Sequence, residues 1–399
     1  MAGKSNRREF LRGQSALQAF GDLILSALPS AEPEGPRRRA AAGKQPSDSP
    51  DHYLLHVGRR AMACEFQIFF NAGQYPRATE VALEVLDLVE KLEDELTFFR
   101  DTSRLSRINH NAARRAVDVD PGLFEILDLA LRLHAETGGA FDITATPLWE
   151  VWGFARRAGA VPDADLLADA QSRVGSQWVE LDRQRRTVRF LKPGIRLNLG
   201  SIGKGYALDR CAEHLRSAGI EHFLIHGGSS SVLACGAQGS TGEGSPSGTP
   251  GSWIVGLPHP LRPERRLGEL RLRDRSLGTS GSQAQSFWHQ GRRYGHILDP
   301  RTGWPAQNVL TATAIASSAM LSDALSTAFY VMEPQQVLDY CRTRPELAAI
   351  VICPARRHGG FEVRSIGLGE GELVAIPAGG DARGGEREKE RGGDTLNRP

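Results

Sequence analysis

The sequence predicts an α+β fold in a single compact domain. Apolar residues recur at helical spacing in some stretches and as short β-branched or aromatic runs in others. The two kinds mix without the regular strand–helix alternation of a parallel sheet. No segment repeats with a period of roughly 20–50 residues, which excludes a solenoid or a propeller.

In chain order, residues 1–31 carry Arg7 and Arg8 ahead of a weakly apolar stretch, the pattern of a twin-arginine export signal. Export is expected, with a cytoplasmic location as the alternative. Residues 32–51 are rich in Pro, Arg and Ser and read as a disordered linker. The folded domain spans 52–377. "EFQIFF" is strand-like, "RATEVALEVLDLVEKLEDEL" is an amphipathic helix, and "PGLFEILDLALRLHAETGG" is a second helix with Pro at its start and a Gly pair past its end. "VELDRQRRTVRFL" reads as two short strands around a turn. "IRLNLGSIGKGYALDRCAEHLRSAG" reads as strand, glycine turn and helix. "HFLIHGGSSSVLACG", "SWIVGL", "LTATAIAS" and "LAAIVIC" are strands, and "LSDALSTAFYVM" is a helix. A Gly/Ser-rich insertion occupies 236–252, and 378–399 reads as a disordered tail.

The net charge of +2 offers no excess for a nucleic-acid partner. No run of about 18 apolar residues occurs, so no spanning helix is expected. The five cysteines have no CxxC pair or His at metal spacing, which argues against structural zinc and for buried thiols.

Chemistry is expected in loops between apolar elements. "GSIGKG" (Gly200–Gly205) sits between a strand and a helix; it suits a phosphate at a helix N-terminus, or is a tight turn. Asp323 and Thr327 are four residues apart and share a helix face. They suit a hard cation, or Asp323 serves the helix's first turn. "TSGS" (Thr279–Ser282) is a polar loop, and "GGSSS" (Gly227–Ser231) marks a strand end. "GGAFDITATPLWEVWGF" (Gly138–Phe154) places Asp142 among aromatics that suit a flat heteroaromatic ligand. "HILDPRTGWP" (His296–Pro305) is a turn-rich loop with a His, an Asp and an Arg.

The order of these stretches, with "MAC" (Met62–Cys64) and "FFRDTSRLSRIN" (Phe98–Asn109) ahead of them, resembles the FAD:protein FMN transferase family, the ApbE type. The resemblance covers nearly the whole folded segment and implies an ApbE-like fold. It implies Mg²⁺-dependent transfer of FMN from FAD to a Ser or Thr hydroxyl of an acceptor flavoprotein, of the redox-complex subunit type, with release of AMP. Carried over by motif, Asp323, Thr327 and the Ser201 carbonyl would ligate Mg²⁺. Met62, Phe99, Ala140, Phe141, Asp142, Lys204, Asp209, Thr279, His296 and Arg301 would contact FAD. Asp323 and His296 would be catalytic, His296 as the base. Phe99 stands where Tyr is common, and Asn198 where Asp is usual. An FAD pyrophosphatase and a non-catalytic flavin-binding protein are the alternatives.

Overall fold

The computed structural model describes residues 53–239, 251–282, 285–355 and 360–375. The expected export signal, linker and C-terminal tail, and most of the 236–252 insertion, lie outside the described residues.

The chain opens with a hairpin of β1 (Leu54–Ala61) and β2 (Cys64–Asn71), then α1 (Ala78–Leu96) and α2 (Arg104–Asn111). β3 (Val117–Asp118), α3 (Pro121–Glu136), α4 (Thr146–Val151) and α5 (Ala164–Ser172) follow. Next come β4 (Val179–Asp182), β5 (Thr187–Phe190), α6 (Gly203–Ser217), β6 (Phe223–Gly227) and β7 (Ser231–Cys235). β8 (Trp253–His259), β9 (Arg262–Leu272), β10 (Arg275–Gly281), β11 (Ser286–His289) and β12 (Arg292–Gly295) are succeeded by β13 (Thr311–Ala316). α7 (Ala319–Val331), α8 (Pro334–Arg342), β14 (Ala348–Pro354), β15 (Phe361–Ile366) and β16 (Leu373–Ala375) complete it.

The main sheet has eight strands in the order β1-β2-β6-β7-β10-β13-β14-β15, and its neighbours pair antiparallel. Both faces are covered, so its central strands are buried along their length while successive side chains enter different cores. Phe66, Ile68, Ile225, Leu233, Ala314 and Val351 face the helices. Phe69, Leu224, Val232, Ile315 and Ile350 face the small sheet β16-β9-β8, which contributes Trp253, Val255 and Leu270. A one-residue slip would exchange the two sets, so the register is fixed by packing. On the helical side, α1 buries Val81, Ala82, Val85, Leu86, Val89 and Leu92, the helical period read in the sequence.

The α+β expectation holds: antiparallel strands with helices gathered on one face of the main sheet. Two local readings are corrected. "IRLNL" is extended but joins no sheet, because its polar groups are met elsewhere. Leu197 exchanges two hydrogen bonds with the Asn109 side chain (3.0 and 2.7 Å), and the Asn198 N–H donates to the Ile143 carbonyl at 2.8 Å. "TSG" is not loop but the end of β10, paired with β13 from Thr279↔Thr313 to Gly281↔Thr311.

Candidate active site

Two helix starts face one another across the centre of the molecule. At the N-terminus of α6 the side chain of Asn198 accepts the Gly200 N–H at 2.8 Å, which shapes the turn carrying Ser201. α7 crosses here so closely that a Cβ on Gly205 would lie 2.1 Å from the Ala319 carbonyl oxygen. On the strand side, a Cβ on Gly278 of β10 would lie 2.2 Å from the Ser322 carbonyl oxygen. Side-chainless positions on two elements therefore let α7 press into the site.

That contact fixes Asp323. Its Oδ2 accepts the otherwise unpaired Gly205 N–H in the first turn of α6 at 3.0 Å, and its Oδ1 accepts the Ser231 hydroxyl at 2.8 Å. Lys204 Nζ stands 3.7 Å from Oδ1. Asp209 returns the favour from α6. Its carboxylate accepts the N–H groups of Ala319 (2.8 Å) and Met320 (2.9 Å) and the Ser318 hydroxyl (2.8 Å), capping α7. Burial raises the Asp209 carboxyl above its ordinary range, and these hydrogen bonds oppose the rise.

A cleft of about 390 Å³ opens in front of Asp323. Phe99, Ala140, Phe141, Asp142, Ser201, Lys204, Thr279, His296, Asp323 and Thr327 all line it. Residues from six separated stretches are thus brought together. Three expected contacts do not line it. Met62 lies in the β1–β2 turn, its N–H bound to Glu93 and its side chain against the helical core. Asp209 is spent on the α7 cap. Arg301 is held by Asp299, at 2.8 Å through both Nε and Nη2, and this pairing keeps its guanidinium out of the cleft. Asp299 also accepts the Arg301 N–H at 2.9 Å, so it braces the turn.

Asp142 borders the cleft, but its carboxylate is turned inward with the side chain 1% exposed. It accepts from Thr144 N and Oγ1 (2.8 and 2.6 Å), Ser176 N and Oγ (3.0 and 2.7 Å), and lies 3.1 Å from His134 Nδ1. Burial alone would raise its pKa; the bonds from His134, Thr144 and Ser176 outweigh burial and hold it below the ordinary range. The hydrogen bond to Asp142 correspondingly raises His134. Asp142 therefore fixes the wall that presents Ala140 and Phe141.

His296 ends the segment leading out of β12. Its Nδ1 lies 3.1 Å from the Gln285 carbonyl oxygen, which can only accept. Nδ1 therefore carries the proton, and in the neutral ring Nε2 holds the lone pair. Burial pushes its pKa below the ordinary value.

The donor set suits a hard cation. Ser326 Oγ donates to the Asp323 carbonyl (2.8 Å) and can then accept from Ser280 Oγ (2.9 Å). Ser280, its proton so committed, accepts from Thr327 Oγ1 at 3.3 Å. The relay leaves the remaining lone pairs of Thr327 available beside the Asp323 carboxylate. Among the described residues no group of three or more His, Cys, Asp or Glu side chains is placed to hold a metal ion. A metal here would rest on one carboxylate, neutral oxygens and the substrate, the manner in which Mg²⁺ is commonly held.

The model of the ApbE family matches residues 62–351. The chain belongs to the ApbE family. A relative in Klebsiella pneumoniae (strain 342), named FAD:protein FMN transferase, is 31% identical over 288 residues, 71% of this chain and 85% of its own. One of the same name in Haemophilus influenzae is 28% identical over 322 residues, 78% of this chain and 89% of its own. The crystal structure of the ApbE protein from Thermotoga maritima superposes with a TM-score of 0.68 at 27% identity, covering 78% of this chain and 96% of that one. Flavin transferase ApbE from Vibrio cholerae shares the fold at 24% identity, with a TM-score of 0.68 over 79% of this chain and 97% of its own.

The motif reading named some groups of the ApbE cleft only as parts of a stretch, Trp149 among the aromatics of Gly138–Phe154 and the serines within Gly227–Ser231. Trp149 and Ser230 line the cleft and Ser231 braces Asp323. "GGSSS" was a signal for the serines. Nothing local marks His134 as the partner of Asp142, because the pairing exists only after the chain turns at Gly138 and Gly139 (φ +59° and +80°).

Proposed function

We propose that this chain is an FAD:protein FMN transferase, moving FMN from FAD to a protein Ser or Thr hydroxyl and releasing AMP. The observation that carries the reading is the cleft itself. Aromatic side chains at one part (Phe99, Trp149, Phe141) and Lys204, a helix N-terminus and Asp323 with Thr327 at another match a flat ring joined to a diphosphate. Family membership and the names of the relatives support it.

Asp323, Thr327 and the Ser201 carbonyl would hold Mg²⁺, which would neutralise diphosphate charge and orient the displacement. Lys204, at the positive end of α6, binds the diphosphate oxygens. Phe141 and Phe99 give the ring an apolar surface. Neutral His296 accepts the acceptor hydroxyl proton at Nε2 as the oxygen attacks the FMN phosphorus and the bond to AMP breaks, a contribution of about 10²–10⁴-fold. Purified chain, FAD, Mg²⁺ and a Thr-containing acceptor should give an acceptor with FMN mass and fluorescence after denaturation, with one AMP per FMN. Free FMN that an acceptor does not suppress would instead support a pyrophosphatase.

A further inference from the structure

Beside His296 stands a two-stranded hairpin, β11–β12, outside the main sheet. Its inner face stacks Phe287 on Tyr294 at 5.6 Å, and both rest on Trp152. Phe154 lies 5.7 Å from Phe287 and 6.5 Å from His296, and Gln285 Nε2 donates to its carbonyl at 2.8 Å. A Cβ on Gly159 would come within 2.6 Å of Phe287. The hairpin and segment 152–160 therefore form one packed lip adjoining the cleft.

The outer face of this lip is aromatic and basic. Trp288 is 71% exposed and pairs across the hairpin with Arg293, three residues before His296. Trp304 is 42% exposed, its ring 5.2 Å from Trp152. Arg292 covers Tyr294 at 5.5 Å and donates to Gln307 at 3.1 Å. Arg156, Arg157, Arg292 and Arg293 are exposed, and none makes an ion pair among the described residues. Segments 151–162 and 285–298 contain no Asp or Glu. Of the carboxylates flanking these segments, Glu150 pairs with Arg196, Asp299 with Arg301, and Glu333 binds Asn308 at 2.6 Å, while Asp163 and Asp165 are exposed at the start of α5. In a chain with 49 basic and 47 acidic residues, this is a local imbalance. None of the four arginines lines the cleft, so the diphosphate is not their partner.

We propose that this lip docks an acidic segment of the acceptor protein, flanking the hydroxyl that enters the cleft. The inference rests on the transferase reading and names its protein substrate by charge. Complementarity supplies the argument: uncompensated arginines attract carboxylates and steer encounter, and exposed Trp with Arg is the composition of interface anchors. Docking here sets the hydroxyl beside His296 while leaving the flavin site untouched.

The test uses the full chain with FAD and three fluorescent Thr peptides, flanked by Asp, by Gly/Ser or by Lys, read by anisotropy. The Asp peptide should bind at least about tenfold tighter than the neutral one, and added salt should erase the difference. Arg292→Glu/Arg293→Glu should abolish that preference, and Trp288→Ala should weaken all binding, with FAD affinity unchanged. Equal binding of Asp and neutral peptides by the native chain, or an unchanged preference in the double variant, overturns the proposal. So does co-sedimentation with phosphatidylserine vesicles that the double variant loses while peptide preference is absent, which makes the lip a membrane contact. Peptide binding is read without turnover, so a chain that docks the Asp peptide but yields only free FMN would refute the transferase reading alone.

Discussion

Gly205→Ala tests whether the close crossing of α6 and α7 builds the site. The added Cβ would meet Ala319 O at 2.1 Å, Ala319 C at 2.5 Å and Met320 Cα at 2.7 Å. All are backbone atoms, so no side chain can swing aside; the helices must part by about 1 Å to restore normal contact. Overpacking of this kind costs about 1–3 kcal/mol, and the backbone obstruction places it near the upper end. A loss on the order of 3 kcal/mol lowers the melting temperature by about 6–12 °C, taking about 2–4 °C per kcal/mol in a larger domain. Parting also stretches the bond from Gly205 N to Asp323 and displaces that carboxylate, and an error of about 1 Å at a reacting centre costs roughly 100-fold in rate. Gly203→Ala is the control, since its Cβ would meet only Leu199 Cβ at 3.8 Å. Calorimetry and a flavin-transfer assay read both. If Gly205→Ala melts and turns over like Gly203→Ala, the crossing does not position Asp323 and the reasoning fails.

Asp323→Ala should abolish FMN transfer and, by leaving the Gly205 N–H and the Ser231 hydroxyl without their acceptor, destabilise the fold by about 1–3 kcal/mol for each, read by transfer assay and thermal melting. His296→Ala should reduce transfer about 10²–10⁴-fold with little change in FAD affinity; because burial lowers the native His296 pKa, native activity should persist below about pH 6.5, where an ordinary His is already protonated. The His134–Asp142 pair makes stability depend on pH. The raised His134 contributes stability that is full below about pH 6.5 and is lost as pH rises through its folded value. The lowered Asp142 contributes stability present above about pH 3.9 and lost as pH falls through its folded value. His134→Gln should therefore flatten the alkaline side of the melting-temperature profile. A chain beginning at Asp51 should retain FAD binding, measured by fluorescence titration, because residues 1–50 show no periodic apolar face.

The fold class was legible because both helical and strand periods are local properties. α1 declares itself through its buried stripe, and the central strands through their unbroken apolar runs. β11 and β12 were not legible: Phe287 and Tyr294 stack on each other, but the surface that buries the pair is Trp152, which arrives from far away in the chain. At the site, residue types foretold the cleft better than individual contacts. Lys204, Ser201, Asp323 and Thr327 converge as their motifs implied. Asp209 and Arg301 carry charges suited to a ligand but spend them on a helix start and on a neighbouring carboxylate. Sequence reveals a charge; only tertiary contact reveals whether it is already spoken for.

The two acids on α6 and α7 have a mechanical consequence. Asp209 closes the first turn of α7, while Asp323 closes the first turn of α6. Neither helix can rotate about its own axis without exposing the other's amide groups, so the pair behaves as a mutual latch and shifts as one body or not at all. Any breathing of the cleft during turnover is then expected at its periphery, around Phe99 and Pro300. The floor that carries Lys204 and Asp323 is thereby the stiffest part of the cleft.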